Sequence, residues 1–135
     1  MEKIFNATDE SLHEVLAYVE EQLDLHECGM KQSMTIAIAV EEIFVNIAHY
    51  AYGEGSGLAT IGMDFEDDDV IITFIDEGFA FDPLAKEDPD ITASAEERDI
   101  GGLGIYMVKK SMDECTYNRI DNKNIFTIRK KIKWT

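Results

Sequence analysis

Apolar positions recur at helical spacing early in the chain: Leu12, Val15, Leu16, Val19 and Leu23 fall on one side, with Glu14, Glu20 and Glu21 on the other. This period predicts an amphipathic helix, capped by Thr8 or Asn6 and closed near Gly29. The apolar pair Ile4 and Phe5 before it reads as an edge strand. The next stretch, about residues 31–50, is apolar nearly all round, through Met34, Ile36, Ala37, Ile38, Val40, Ile43, Phe44, Val45, Ile47 and Ala48. A helix of that kind is central and buried on several sides. Glu41, Glu42 and Asn46 interrupt it.

Gly53, Gly55 and Gly57 mark a turn, after which two strand-like runs, 58–65 and 70–75, bracket Glu66 to Asp69 as a hairpin. From 77 to 100 periodicity is lost and the chain carries both prolines, Pro83 and Pro89, among many acidic residues. An irregular stretch of that length within one domain reads as a lid or binding loop. A third helix begins near Gly102 and carries Leu103, Ile105, Tyr106, Val108 and Met112. Two last strands, 115–120 and 125–132, flank the polar turn Asp121-Asn122-Lys123-Asn124. Consecutive hairpins with few helical crossovers predict an α+β fold: a two-layer α/β sandwich whose mixed, mostly antiparallel sheet carries its helices on one face. Met34, Met63, Met107 and Met112 lie in apolar runs and read as core filler. Lys130, Lys131 and Lys133 read as a guard on an edge strand.

Length and charge narrow the function. A chain of 135 residues reads as one domain, 1–135, with the lid at about 77–101, and is long enough to bury a core. Its 28 acidic against 12 basic residues give a net charge of −16. Such a field repels nucleic acid and anionic lipid, so neither a nucleic-acid nor a membrane partner is expected. An anionic nucleotide would need local compensation from a divalent metal, backbone N–H groups and a few cations. Cys28 and Cys115 lack metal-ligand spacing and read as free thiols. The N-terminal residues show no apolar leader, and no run approaches the length of a membrane span. A cytoplasmic protein is expected.

The candidate chemistry sits in three places. Glu42 and Asn46, four residues apart, share a helix face. The amide oxygen of Asn46 suits a hard cation such as Mg²⁺, and a carboxylate one turn away can orient or deprotonate a hydroxyl. His49 continues that face toward a phosphate. Asp76 ends a β-branched and aromatic run, where it can accept a hydrogen bond from an exocyclic amine such as adenine's; Gly78 would let a flat ring approach the backbone. Gly101, Gly102 and Gly104 open a helix whose free N–H groups suit phosphates, and the lysine of a P-loop is missing.

Together these motifs resemble the N-box, G1 box and G2 box of the Bergerat-type (GHKL) ATPases, and within them the anti-sigma-factor serine/threonine kinases. The likeness runs through residues 39–52 (AVEEIFVNIAHYAY), 76–83 (DEGFAFDP) and 102–105 (GLGI), and spans essentially the whole chain. The resemblance implies the same sandwich, ATP and Mg²⁺ as cofactors, Glu42 as general base and Asn46 as magnesium ligand. It also implies Asp76 and Gly78 at the adenine, Gly102 and Gly104 along the phosphates, and Thr127 supporting the adenine contact through water. Several members carry an arginine just before the second glycine box; here Ile100 and Gly101 stand there and Arg98 lies slightly earlier. Tyr50 follows His49 where many relatives have histidine. The implied partner is an anti-sigma-factor antagonist (STAS-type) protein phosphorylated on serine, with a sigma factor as a second partner and a homodimer as the assembly. The alternative is an ATP-sensing binding module that transfers no phosphate. A histidine-kinase fragment would need a dimerising hairpin for which the first 29 residues leave no room.

Overall fold

The computed structural model describes residues 1–85 and 102–133. Five strands, β1 (Glu2–Asn6), β2 (Leu58–Glu66), β3 (Asp69–Asp76), β4 (Glu114–Ile120) and β5 (Lys123–Lys131), form one sheet in the order β1-β2-β3-β5-β4. Every pairing is antiparallel. Among the described residues the sheet therefore has no parallel pair; β2–β3 and β4–β5 close through two-residue turns that only antiparallel neighbours can share. Positive φ values at Asp67, Asp121 and Asn122 belong to those turns. Asp and Asn tolerate this left-handed conformation better than other side chains.

Helices α1 (Leu12–Leu25), α2 (Met30–Asn46) and α3 (Gly102–Ser111) supply the second layer. The predicted stripe of α1 holds, with Val15, Val19 and Leu23 fully buried. Alternation does the same work in the sheet. Val70, Ile72, Phe74 and Asp76 of β3 share the buried side with their partners on β5, from Asn124 through Phe126 and Ile128. These side chains join Ile36, Val40 and Phe44 of α2 and Val108 of α3 in one core. The other sheet face is open, with Ile4 61% exposed.

Three expectations change. Lys130 and Lys131 guard no edge, since β5 lies between β3 and β4; Lys130 instead donates to the Ser111 carbonyl at 2.8 Å. Met63 and Met112 fill the core, whereas Met34 and Met107 stand on outward helix faces, 60% and 54% exposed. Finally, the helical stretch Met30–Ala51 is long and apolar enough to cross a membrane by length and composition. Packing explains one side of it, where Ile36, Val40, Ile43 and Phe44 are buried in the core against α1 and α3, whereas Met30, Met34 and Ile38 stand exposed on the other.

Candidate functional site

A cavity of about 390 Å³ opens where the end of α2, the ends of β3 and β5 and the start of α3 converge. Ile43, Ile47, Ile105 and Phe126 make its lining apolar, and Asn46 and Asp76 enter it from the helix and the sheet. Tyr50, Phe79 and Phe81 line it as well, and all three are more than half exposed. A slot with apolar walls and a few fixed polar groups suits a flat heterocycle.

Asp76 is the chemical focus. It is 6% exposed, and its Oδ1 accepts hydrogen bonds from the Gly78 N–H and from Asn124 Nδ2, both at 2.9 Å. Oδ2 accepts none among the described residues. A buried carboxylate with two donors on one oxygen and none on the other has an unmet acceptor, and burying one without a partner is costly. The natural complement is a ligand N–H.

Gly78 owes its identity to a different cause from the one expected. It does not line the cavity; a Cβ there would run into the backbone carbonyl of Ala51. The glycine lets the turn after β3 press onto the end of the second helix, and Phe79 N–H bonds that same carbonyl at 2.8 Å. Tyr52 braces the turn from the other side, its hydroxyl donating to the Leu58 carbonyl at 2.5 Å and accepting from Glu77 N–H at 2.9 Å. Burial pushes this hydroxyl's pKa up, which keeps it a donor.

Glu42 and Asn46 are both half-buried. Asn46 lines the cavity, while the carboxylate of Glu42 fills the space beside the Gly104 α-carbon, where any side chain would collide with it. The first and third motifs therefore meet in the first turn of α3, which begins at Gly102. Among the described residues no cluster of three or more His, Cys, Asp or Glu is arranged to hold a metal ion. A cation bound near Asn46 would have to take its other ligands from phosphate and water, which is the habit of Mg²⁺.

Two expected site residues lie elsewhere. After Asn46 the helix widens into a π turn, Ile47–Ala51, and His49 swings outward to Asp9, with Nε2 to Oδ1 at 2.7 Å. The wider i→i+5 pairing of that turn breaks the expected face, so Tyr50 borders the cavity and His49 does not. Thr127 pairs with Thr73 on the open face, opposite Asp76. Strand alternation turns it from the Asp76 carboxylate, and Asn124 makes that contact instead. Arg98, and the lid beyond residue 85, lie outside the described residues. Asn124 was legible in principle: it keeps step with Phe126 and Ile128 in the period of two, so a polar residue stands on the apolar side of a strand.

A family model described as a histidine kinase-like ATPase domain matches residues 5–130. No curated protein sequence matches the chain. Among solved structures, the RsbU and RsbW domains of Rv1364c from Mycobacterium tuberculosis superpose with a TM-score of 0.66 at 15% identity. All of this chain is covered there but only 33% of the mycobacterial one, so the chain spans a third of that protein. The SiaB-SiaC complex from Pseudomonas aeruginosa gives a TM-score of 0.57 at 18% identity, covering 95% of this chain and 88% of the other. The histidine kinase AdeS of Acinetobacter baumannii gives 0.51 at 15% identity, covering 99% and 68%. At these identities the likeness is one of fold.

Proposed function

The chain belongs to the histidine kinase-like ATPase domain family, and on that premise we propose that its cavity takes the adenine of ATP and that the protein phosphorylates a serine of a small anti-sigma-factor antagonist. The observation that carries the nucleotide reading is Asp76, buried at the cavity with two donors on one oxygen and, among the described residues, none on the other. An ionised carboxylate only accepts, so it favours a base presenting an amino group over one presenting a carbonyl oxygen. Tyr50, Phe79 and Phe81 would enclose the ring, and the phosphates would run toward Asn46 and the start of α3.

Asn46 would hold Mg²⁺, whose charge offsets that of the phosphates. Glu42, one helical turn away, would orient the serine hydroxyl and take its proton as the phosphoryl group is transferred. Gly104 would leave room for that carboxylate and for a phosphate beside it, since it alone places no side chain between them. Phosphoryl transfer asks a protein chiefly for positioning and charge stabilisation, so this short inventory is sufficient in kind. The solved relatives that contain an RsbW domain or a SiaB-SiaC complex support a regulatory partner of the antagonist type, and a sigma factor would be the second partner. Cytoplasmic residence and a homodimer complete the proposal.

One observation favours a second reading, an ATP-sensing module without transfer: the Glu42 carboxylate rests against Gly104 and does not line the cavity. A single pair of measurements separates them. The kinase reading expects saturable binding of Mg²⁺-ATP and phosphoserine on the antagonist, with Glu42→Gln abolishing transfer and sparing nucleotide affinity. Nucleotide binding without phosphoserine on any cognate antagonist would leave the sensing module. Absence of ATP binding at millimolar concentration would sink both.

A further inference from the structure

Only three polar side chains are buried among the described residues, Gln22, Asp76 and Asn124, and Asn124 has no part in the mechanism above. Every hydrogen-bonding atom it owns is nevertheless engaged. Nδ2 donates to Asp76 Oδ1 at 2.9 Å and to the Phe79 carbonyl at 2.7 Å. Oδ1 accepts from the Tyr117 hydroxyl at 2.5 Å and from the Phe81 N–H at 3.4 Å. These partners fix the amide's orientation, since two acceptors face its nitrogen while a backbone N–H and a hydroxyl face its oxygen. A fully satisfied buried network holds one arrangement, because any slip leaves a polar atom stranded from water.

One side chain thus ties together two parts of the cavity: the carboxylate that reads the ligand and the 79–81 backbone that walls it. The β4–β5 hairpin reinforces the tie. Arg119, the cross-strand partner of Asn124, donates to the Gly78 carbonyl at 2.9 Å. The turn at Asp121 and Asn122, both at positive φ, sets the register that brings Arg119 and Asn124 side by side.

We propose that Asn124, oriented by Tyr117, is the positioning residue that aims the free oxygen of Asp76 at a ligand amino group and sets the distance of the 79–81 wall from it. Without the Nδ2 donor, Oδ1 keeps only the Gly78 N–H, the carboxylate turns about its own axis, and the unmet oxygen loses its direction. The inference rests on the adenine reading of the cavity.

Its test is a comparison of two ligands by calorimetry in the presence of Mg²⁺: ATP, and purine riboside triphosphate, which lacks the 6-amino group. The wild-type protein should prefer ATP. Asn124→Ala should weaken ATP binding about tenfold or more, the worth of a charge-assisted hydrogen bond, and weaken purine riboside triphosphate several-fold less, through the looser wall alone. Tyr117→Phe should give an intermediate loss for ATP alone. Equal losses for both ligands, as general damage to the fold would give, or no loss for either, would overturn the assignment. Should the alanine variant fail to fold, Asn124→Ser keeps a small polar group in its place and carries the same expectations.

Hydrogen exchange in the nucleotide-free protein supplies an arm independent of any ligand. Asn124→Ala should speed exchange at the amides of Gly78 and Phe81 while β2 and β3 keep their protection; unchanged exchange at both amides would refute the hub. A wild-type protein that binds no ATP would remove the adenine reading, and the exchange result would still decide whether Asn124 holds the wall.

Discussion

At the scale of single residues, what matters at this site is close approach and the accounting of hydrogen bonds. Gly78 is packed against a backbone carbonyl that cannot rotate away, so Gly78→Ala should cost about 1–3 kcal/mol, the usual range for overpacking. Urea unfolding would read it as a lower midpoint at unchanged slope. The His49–Asp9 pair is exposed, with side chains 45% and 64% accessible. His49→Ala should cost less than about 1 kcal/mol and leave nucleotide affinity as it was; a large loss of affinity would restore His49 to the site. The two cysteines make a chemical prediction. Burial, then neighbouring acids, raises the pKa of Cys28 and Cys115, with Lys109 opposing at Cys115. The thiolate is the reactive form. Both should therefore alkylate more slowly than free cysteine at pH 8 and accelerate as pH rises further, followed by mass increments with iodoacetamide.

At the scale of elements, the joints fix the site more than the elements do. The π turn that ends the second helix moves His49 away from the cavity and Tyr50 toward it. The hairpin between β4 and β5 brings Arg119, Tyr117 and Asn124 onto the end of β3. Its second turn residue, Asn122, has φ +64, a conformation that glycine adopts with no steric cost. Asn122→Gly should therefore stabilise the protein by a few tenths to about 1 kcal/mol, the relief of left-handed strain less the entropy glycine adds to the unfolded chain. Calorimetry should show a melting point higher by a few degrees, and a drop would mean that the Asn122 side chain has a role of its own.

At the scale of the whole molecule, a net charge of −16 on 135 residues makes the folded state repel itself and any anionic ligand. Raising monovalent salt from about 0.01 to about 0.15 M shortens the screening length from about 30 to about 8 Å. The melting temperature should rise across that range. Mg²⁺-ATP at about one hundred times its dissociation constant should add about 2.7 kcal/mol, read as a further shift that ATP with chelator reproduces only weakly. A shift of equal size without the metal would count against Asn46 as its ligand.

The apolar patterning alone determined the layers: the stripe of α1, the all-round apolar α2, two hairpins and a glycine-led third helix follow from periods of 3.6 and 2 that no tertiary contact needs to supply. Motif spacing set Glu42 and Asn46 on one helix face, and the family resemblance added Asp76 and the start of α3; in the fold Asn46 and Asp76 line one cavity and Glu42 meets Gly104. Only the tertiary structure decided the rest. Strand order made β5 internal, because pairing partners are set by which strands meet and not by local sequence. A change of helix period removed His49. The contact of Asn124 with Asp76, 48 residues apart, exists only once the sheet has closed, since hydrogen bonds between distant residues depend on register and leave no local signature.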